Sequence, residues 1–170
     1  MTIIIKNKET LLFDDFKFKC SIGKKGFIPN ANYYNYWYKK GGWKSATVVS
    51  NAIGQGEILT TPIQMANMTA ILANKGYYYT PHIIKKISGG ELDSSFIIKK
   101  FCSIEKQYFD PIINGMQLVT EGKYGTATNC KLDDIIICGK TGTAQNPHGE
   151  DHSIFIAFAP KDDPKIAIAV

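Results

Sequence analysis

Arginine is absent from this sequence, and several other features are scarce. All 20 of the Lys+Arg positions among the 170 residues are lysine. Sequence-specific recognition of DNA or RNA relies heavily on the guanidinium group, which binds guanine edges and phosphates through two parallel hydrogen bonds. A net charge of +5 made of dispersed lysines is therefore poor support for a nucleic-acid-binding protein. We expect no nucleic-acid partner.

Long apolar runs are also missing. The first thirteen residues contain only short apolar runs, Ile3 to Ile5 and Leu11 to Phe13, which are too brief for the apolar centre of a signal peptide. No stretch approaches the roughly 18 apolar residues that a membrane-spanning helix needs. The sequence therefore predicts neither a membrane span nor an export signal within these residues.

Cysteine pairs with the spacing of metal or redox sites are not present. The four cysteines are Cys20, Cys102, Cys130 and Cys138. None forms a C-x-x-C pair, and a chain of this length builds a core without disulfides, so their pairing stays open. The other candidate metal ligands are His148, Glu150, Asp151 and His152. Such groups in a hairpin loop are usually solvated, so we predict no metal site.

No cofactor is expected either. The tripeptide Gly54-Gln-Gly56 lacks the G-x-x-x-x-G-K pattern of a phosphate-binding loop, and we interpret it as a tight turn before a helix. What the chain does contain is a composition of 44% hydrophobic, 12% aromatic and 21% charged residues. That composition is typical of a folded globular domain.

Residues that typically mark helix ends, chiefly proline at the start and glycine after the end, predict three helices. A short helix from Ser45 to Ala52 ends at Gly54. A second helix runs from Pro62 to Lys75, with Thr61 as cap, apolar residues at helical spacing, and Gly76 as the stop. A third begins with Asp110 as cap and Pro111 at the first position, and it ends at Gly122. Its buried face is predicted to hold Ile112, Met116 and Val119.

Alternating and apolar segments predict the strands. We expect an antiparallel pair formed by His82 to Ile87 and Phe96 to Phe101, and three neighbouring strands at residues 135–143, 154–159 and 166–170. Helices followed by consecutive strands indicate an α+β fold in which helices pack on an antiparallel sheet. The last strand reaches Val170 with no turn or polar tail, so we expect a longer polypeptide and a free sheet edge there that invites self-association.

The most informative motif is Lys140-Thr141-Gly142-Thr143, which follows the apolar run Ile135 to Cys138 and lies on or just after a strand. Lysine supplies a fixed positive charge, the threonine hydroxyls can bind a carboxylate, and glycine lets a peptide lie against the strand edge. K-T-G belongs to the signatures of penicillin-binding proteins and class A β-lactamases. Alone, three common residues form a weak motif.

Several further blocks occur in the order of one family. They are Ile53-Gly-Gln-Gly-Glu57, Thr60-Thr-Pro-Ile-Gln-Met-Ala-Asn67, Tyr79-Thr-Pro-His82, Gly115-Met116, Gly125-Thr-Ala127, Gly139-Lys-Thr-Gly-Thr-Ala-Gln145, Asp151-His-Ser153 and Ile154-Phe-Ile-Ala-Phe-Ala-Pro160. Together they resemble the C-terminal part of the transpeptidase domain in class B penicillin-binding proteins, with the elongation-type peptidoglycan D,D-transpeptidases as the nearest group. The resemblance covers roughly residues 26–170.

This resemblance implies the penicillin-recognising serine-enzyme fold and an acyl-enzyme reaction on the D-Ala-D-Ala end of a stem peptide, with β-lactams as inhibitors. Lys140 would set the electrostatics of the cleft, and the Thr141 and Thr143 hydroxyls would bind the carboxylate. Gly142 would leave room for the peptide, and the Thr143 N–H would supply half of an oxyanion hole. The parent protein would act at the periplasmic face of the inner membrane, held by an anchor outside this chain.

The sequence departs from the family where the reaction needs its nucleophile. It contains no S-x-N, and its two S-x-x-K matches, Ser21 to Lys24 and Ser103 to Lys106, lie where the family does not place its serine. We therefore interpret residues 1–170 as a partial transpeptidase domain that lacks its nucleophile-bearing half. Such a fragment is expected to be catalytically silent.

Two alternatives remain open at this stage. The aromatic run from Tyr33 to Tyr38 could make the chain a non-catalytic module that binds peptidoglycan or a partner protein, although such runs more often pack against the rest of a domain. A β-lactamase relative would also carry K-T-G. The G-Q-G-E block and the helix after it fit the transpeptidases better.

Overall fold

The computed structural model describes residues 3–6, 26–39, 41–82, 84, 87, 89–146 and 148–170. The chain divides into two compact units. The larger unit comprises Met1–Lys19, Pro62–Gly142 and Ile154–Val170, and the smaller unit comprises Cys20–Thr61 and Thr143–Ser153.

Helices and short strands alternate before three longer strands close the chain. The helices are α1 (Ala31–Trp37), α2 (Ser45–Ala52), α3 (Pro62–Ala73), α4 (Ser94–Ile97) and α5 (Phe109–Glu121). The strands are β1 (Ile3–Lys6), β2 (Tyr77–Tyr78), β3 (Lys100–Phe101), β4 (Cys138–Ala144), β5 (His152–Ala159) and β6 (Ile166–Ala169). Single 3-10 turns lie at Lys106–Tyr108 and Thr128–Cys130. None of the described helices combines the length and apolar character that a membrane crossing requires.

The main sheet has the strand order β1-β6-β5-β4. Strand β6 pairs antiparallel with β1, where Ile3 lies opposite Ala169, and with β5, where Ile156 lies opposite the same residue. The expectation of a free edge near Val170 is therefore wrong, because the last strand has a partner on each side. Among the described strands of this sheet, β1 and β4 are the edges.

Helices α3 and α5 pack on this sheet. The predicted start of α3 at Pro62 is confirmed, and its end is two residues earlier than predicted. Gly76 ends the turn that follows, with φ of +108° and its N–H on the Ile71 carbonyl at 2.9 Å. A side chain there would meet the Phe109 ring at 3.3 Å. Glycine is therefore required both by the backbone angle and by the packing.

The buried face of α5 differs from the predicted one. The helix begins at Phe109, one residue before the predicted cap Asp110, and it ends before Gly122 as expected. Its buried residues are Phe109, Ile113, Met116 and Thr120. Because they are spaced by four, three and four positions, they form one stripe on a 3.6-residue helix. Ile112 lies off that stripe and is 47% exposed.

The predicted hairpin of His82 to Ile87 with Phe96 to Phe101 is wrong. The described residues of the first segment, His82, Ile84 and Ile87, have no strand structure. The second segment begins inside α4, because the Asp93 carboxylate accepts the Ser95 N–H at 2.7 Å and caps a helical turn. Only Lys100–Phe101 is extended, and it pairs with Tyr77–Tyr78.

The core of the larger unit forms where α3 and α5 meet the sheet. Its buried members are Ala73, Phe109, Ile113, Met116, Cys138, Phe158 and Ala167. The Thr120 hydroxyl, which is fully buried, donates to the Ile137 carbonyl at 2.6 Å. That bond fixes the end of α5 to the residue just before β4, and it thereby positions the strand that carries the K-T-G motif.

The smaller unit is built from α1, α2 and an isolated bridge. The aromatic run forms α1, which is capped by Asn30, whose side-chain oxygen accepts the Tyr33 N–H at 3.0 Å. Helix α2 has the predicted bounds and is followed by Gly54 with φ of +79°. Phe27 and Leu59 exchange two backbone hydrogen bonds of 2.8 and 2.9 Å. A turn follows the aromatic run at Gly41, whose φ is +80°.

Candidate active site

Strand β4 carries the predicted substrate-binding residues Lys140, Thr141, Gly142 and Thr143 at an edge of the sheet. The first two residues of the strand, Cys138 and Gly139, are buried. A side chain at Gly139 would lie 2.7 Å from the ring of Phe155 in β5, so glycine at this position lets β4 and β5 lie close together. The four motif residues that follow are half-buried or exposed. The motif is therefore anchored at its start and accessible along its length.

Lys140 presents its ammonium group at the surface of this strand. The Nζ atom donates to the Thr141 carbonyl at 2.5 Å. Within the described ranges no carboxylate lies within ion-pair distance of it, whereas Lys75, Lys131 and Lys165 each pair with an acidic residue. An ammonium group without an internal counter-ion can attract an anionic ligand.

The Thr141 hydroxyl has a partner that the sequence did not indicate. Its Oγ1 lies 2.8 Å from Thr126 Oγ1, and either oxygen can be the donor. Thr126 belongs to the Gly125-Thr-Ala127 segment. Backbone bonds of 2.9 Å, from the Gly125 N–H to Gly122 O and from the Ala127 N–H to Val119 O, hold this segment against the end of α5.

In the smaller unit, the Gly54-Gln-Gly56 turn reaches Thr143. The Gln55 side-chain amide donates to the Thr143 carbonyl at 3.1 Å. The Gln55 backbone N–H donates to Ser50 O at 2.9 Å, which fixes the base of that side chain against the end of α2. The expected turn is therefore present, and its central residue contacts the last residue of the motif.

Glu57 is the centre of a hydrogen-bond cluster in the same unit. Its carboxylate accepts bonds from the Tyr38 hydroxyl at 2.5 Å and the Tyr34 hydroxyl at 3.1 Å. Asn51 Nδ2 donates to the Tyr34 oxygen at 2.6 Å. The Tyr38 hydrogen bond is the main reason why the pKa of Glu57 lies below its usual value. The same bond raises the pKa of Tyr38, and burial is the main cause of the raised pKa of Tyr34.

An open apolar hollow of about 410 Å³ lies in the larger unit beside Lys140. It is lined by Leu72, Ile112, Gly115, Met116, Val119, Lys140 and Ile156. A hollow of similar size in the smaller unit is polar and is lined by Tyr38, Thr47, Ser50, Gln55, Gly56 and Glu57. The two hollows thus differ in chemistry, and only the first contains a motif residue.

Comparison with known proteins identifies the family to which this chain belongs. Residues 17–170 match the Transpeptidase family, described as the penicillin binding protein transpeptidase domain. The chain belongs to this family. The resemblance inferred from the sequence blocks, and the α+β penicillin-recognising fold that it implied, are thereby confirmed.

The similar proteins are peptidoglycan transpeptidases of several bacteria. The peptidoglycan D,D-transpeptidase MrdA of Haemophilus influenzae is 31% identical over 162 residues, which cover 84% of this chain and 25% of that protein. MrdA of Acinetobacter baumannii is 28% identical over 172 residues, which cover 86% and 24%. The chain therefore spans about a quarter of the length of these relatives.

Solved structures agree with this assignment. The Pseudomonas aeruginosa PBP2 structure, in complex with WCK 5153, aligns with a TM-score of 0.72 at 36% identity and covers 85% of this chain and 31% of that chain. The Helicobacter pylori complex of PBP2 and MreC aligns with a TM-score of 0.69 at 28% identity and covers 85% and 26%.

Of the two S-x-x-K serines, only Ser103 lies among the described residues. Ser103 is exposed in a bend, and Lys106 begins a 3-10 turn. They therefore do not occupy one face of an α-helix, where a serine and a lysine three positions apart would face each other. Ser21 and Lys24 lie outside the described residues.

The described cysteines of the transpeptidase chain are Cys102, Cys130 and Cys138, and all are free thiols. Cys20 lies outside the described residues. Burial raises the pKa of Cys138 to about 11, an effect that Lys161 partly offsets. In the hairpin loop, the Asp151 carboxylate accepts the Asn146 N–H at 3.0 Å. Among the described residues no three His, Cys, Asp or Glu side chains come close enough to hold a metal ion.

The sequence motifs do not predict the contacts of Thr126, Gln55 and Glu57. All three lie in blocks that resemble the transpeptidase family, and this was the available signal. The blocks do not reveal that Thr126 contacts Thr141 across 15 positions, or that Gln55 contacts Thr143 across 88.

Proposed function

We propose that this chain is the substrate-binding part of a peptidoglycan D,D-transpeptidase and binds the D-Ala-D-Ala end of a stem peptide along strand β4. The observation that carries the proposal is the exposed Lys140 on edge strand β4, next to Thr141 and without a counter-ion among the described residues. The names of the MrdA relatives supply the substrate class.

Each motif residue has a chemical role in this proposal. The Lys140 ammonium attracts the terminal carboxylate of the peptide, and the Thr141 and Thr143 hydroxyls donate to it. Gly142 keeps the strand edge clear, since a side chain there would meet only Ile154 at 3.7 Å and would project toward the ligand. The Thr143 N–H serves as one donor of an oxyanion hole. β-Lactams are ligands of the same strand.

The chemical step needs residues that this chain does not carry. No S-x-N is present, and neither S-x-x-K serine is a credible nucleophile. The 170 residues are thus the C-terminal portion of a transpeptidase domain, and the chain by itself is inactive. The chain lacks the nucleophile and the base that acyl transfer requires. Similarity to the MrdA relatives supports action at the periplasmic face of the inner membrane.

The proposal is tested by two measurements on the 170-residue chain. Incubation with a fluorescent penicillin should leave the mass of the protein unchanged, and a stoichiometric adduct on Ser21 or Ser103 would refute the inactive assignment. Titration with an acetylated peptide ending in D-Ala-D-Ala should give weak binding. That binding should fall about tenfold in Lys140→Ala, as expected for the loss of one charge-assisted contact.

Lys165→Ala is the matched control for the lysine substitution. It removes the same charge from an exposed residue of the larger unit that pairs with Asp163. Equal loss of peptide binding in both variants would indicate a general charge effect and would count against a site at Lys140.

A second candidate function is supported by the aromatic helix α1. Tyr36 and Trp37 are 77% and 65% exposed, and their rings pack edge to face at 5.3 Å. Exposed rings of this kind can stack on sugar rings of the glycan strand. Binding to soluble glycan chains should then be lost when both rings are changed to alanine and should be indifferent to Lys140→Ala. The opposite pattern supports the peptide-binding function alone.

Hydrolysis of β-lactams is the less favoured alternative. The relatives and structures named above are transpeptidases and penicillin-binding proteins. A chromogenic β-lactam should remain intact in the presence of the chain, and measurable turnover would favour a β-lactamase relative.

A further inference from the structure

Two neighbouring hydroxyl groups lie at the centre of the proposed carboxylate site. Thr126 Oγ1 and Thr141 Oγ1 are 2.8 Å apart, which is the usual length of an O–H···O hydrogen bond. Thr126 is exposed, and Thr141 is half-buried. The contact joins the segment after α5 to the motif strand β4, and both residues belong to the larger unit.

The segment that carries Thr126 is held firmly. Beyond the two backbone bonds to α5 and its end, Ala127 is only 4% exposed and accepts the Cys130 N–H at 3.0 Å. A side chain at Gly125 would lie 2.3 Å from Val119 O and 2.6 Å from Leu118 O. Any residue larger than glycine is therefore excluded there without a backbone shift. Thr126 thus extends from a fixed backbone.

We propose that Thr126 is a positioning residue for Thr141, an inference that rests on the proposed function of the K-T-G strand. The Thr126 hydroxyl donates to Thr141 Oγ1 and holds the Thr141 side chain in the rotamer that brings its oxygen to this contact. The Thr141 proton is then left to donate to the carboxylate of the ligand.

The direction of the hydrogen bonds follows from counting protons. A carboxylate only accepts hydrogen bonds, and each threonine hydroxyl has one proton and two lone pairs. When a carboxylate is bound at Thr141, the Thr141 proton must point to it. The bond between the two threonines can then form only if Thr126 is the donor. The hydrogen bond from Thr126 to Thr141 and the hydrogen bond from Thr141 to the bound carboxylate therefore strengthen each other.

Without Thr126, the Thr141 side chain loses the partner that favours this rotamer. Both common χ1 rotamers are accessible to a threonine in a strand, and a methyl group at position 126 offers nothing to its oxygen. Ligand binding must then also fix that side chain. One neutral hydrogen bond contributes about 1 kcal/mol, which corresponds to a roughly fivefold weaker affinity.

The test uses Thr126→Val, which keeps the shape and removes the hydroxyl, and Thr126→Ser, which keeps the hydroxyl. Two acetylated peptides ending in D-Ala-D-Ala serve as probes, one with a free carboxylate and one with a C-terminal amide. Thr126→Val should bind the carboxylate peptide about fivefold more weakly and the amide peptide equally well. Thr126→Ser should bind both like the unchanged chain.

A measurement without ligand keeps the inference separate from the proposed function. Three-bond NMR couplings of the Thr141 methyl carbon report its χ1 rotamer, which should be single in the unchanged chain and in Thr126→Ser and averaged in Thr126→Val. Unchanged couplings in Thr126→Val would overturn the inference, as would equal weakening of both peptides. If the unchanged chain does not prefer the carboxylate peptide, the proposed function fails, and the couplings alone decide whether Thr126 positions Thr141.

Discussion

Two buried threonines offer a sharp test of how β4 is held in place. Thr120 and Thr69 are both completely buried, and each hydroxyl donates to a backbone carbonyl. Thr69 donates to Met65 O, one turn earlier in its own helix, at 2.8 Å. Thr120 donates to Ile137 O at 2.6 Å and so links α5 to the start of β4. The two residues match in type and burial. Thr120 Oγ1 also lies 3.1 Å from Gln117 O in its own helix, so the difference is its shorter, additional bond to a carbonyl outside the helix.

Replacement of each threonine by valine should therefore have unequal costs. In Thr69→Val the Met65 carbonyl keeps the helical N–H of residue 69, so we expect a loss of less than about 1 kcal/mol in the free energy of unfolding. In Thr120→Val a tertiary hydrogen bond is lost, and a carbonyl then faces a methyl group in the interior. We expect a loss of about 2 kcal/mol, because an unsatisfied buried acceptor costs roughly 1–3 kcal/mol.

Urea unfolding followed by far-ultraviolet circular dichroism measures both values. The midpoint should fall in Thr120→Val while the slope of the transition stays constant. In thermal unfolding, the expected loss of about 2 kcal/mol in Thr120→Val should lower Tm by about 4–8 °C for a chain of this size. Thr120→Ser retains the donor and serves as the control. Equal losses for the two valine variants would refute the argument that the cross-element bond fixes β4.

Two further predictions concern ionisable groups. Because burial raises the pKa of Cys138 to about 11, its thiolate is about 100-fold scarcer than that of an ordinary thiol near pH 8, so iodoacetamide should alkylate Cys138 far more slowly than Cys102 or Cys130, as peptide mass mapping will show. Comparable rates at all three would contradict the burial argument. The hydrogen bond to Glu57 is the main cause of the raised pKa of Tyr38, and the negative charge of Glu57 adds to it. Glu57→Gln weakens that bond and removes the charge, so the phenolate should form at lower pH in an ultraviolet titration, whereas Glu91→Gln should leave the titration unchanged.

Local signals in the sequence predicted those elements whose ends are marked by particular residues. Pro62 and Gly76 bound α3 because proline suits a first helical turn and glycine adopts the left-handed angle after the last one. The predicted hairpin at His82 does not form, because alternation alone does not specify a strand and the Asp93 cap makes the start of the partner segment helical. Strand order could not be predicted, since the pairing of Ile3 with Ala169 joins distant segments.

The candidate site was predictable only in part for the same reason. The K-T-G-T residues follow each other in one strand, so a motif identifies them. Their neighbours Thr126 and Gln55 reach them through the fold, and nothing near either residue in the sequence specifies the contact.

The pairing of β1 with β6 has a consequence for how the chain folds during synthesis. Residues Ile3–Lys6 are synthesised well before their partners in Ile166–Ala169. Pairing between segments so far apart is slow to form. Until then β1 has an exposed edge, and α3 and α5 lack the strands that complete their core. Until β6 has been made, this part of the nascent chain therefore presents apolar surface, and its folding should depend on chaperones.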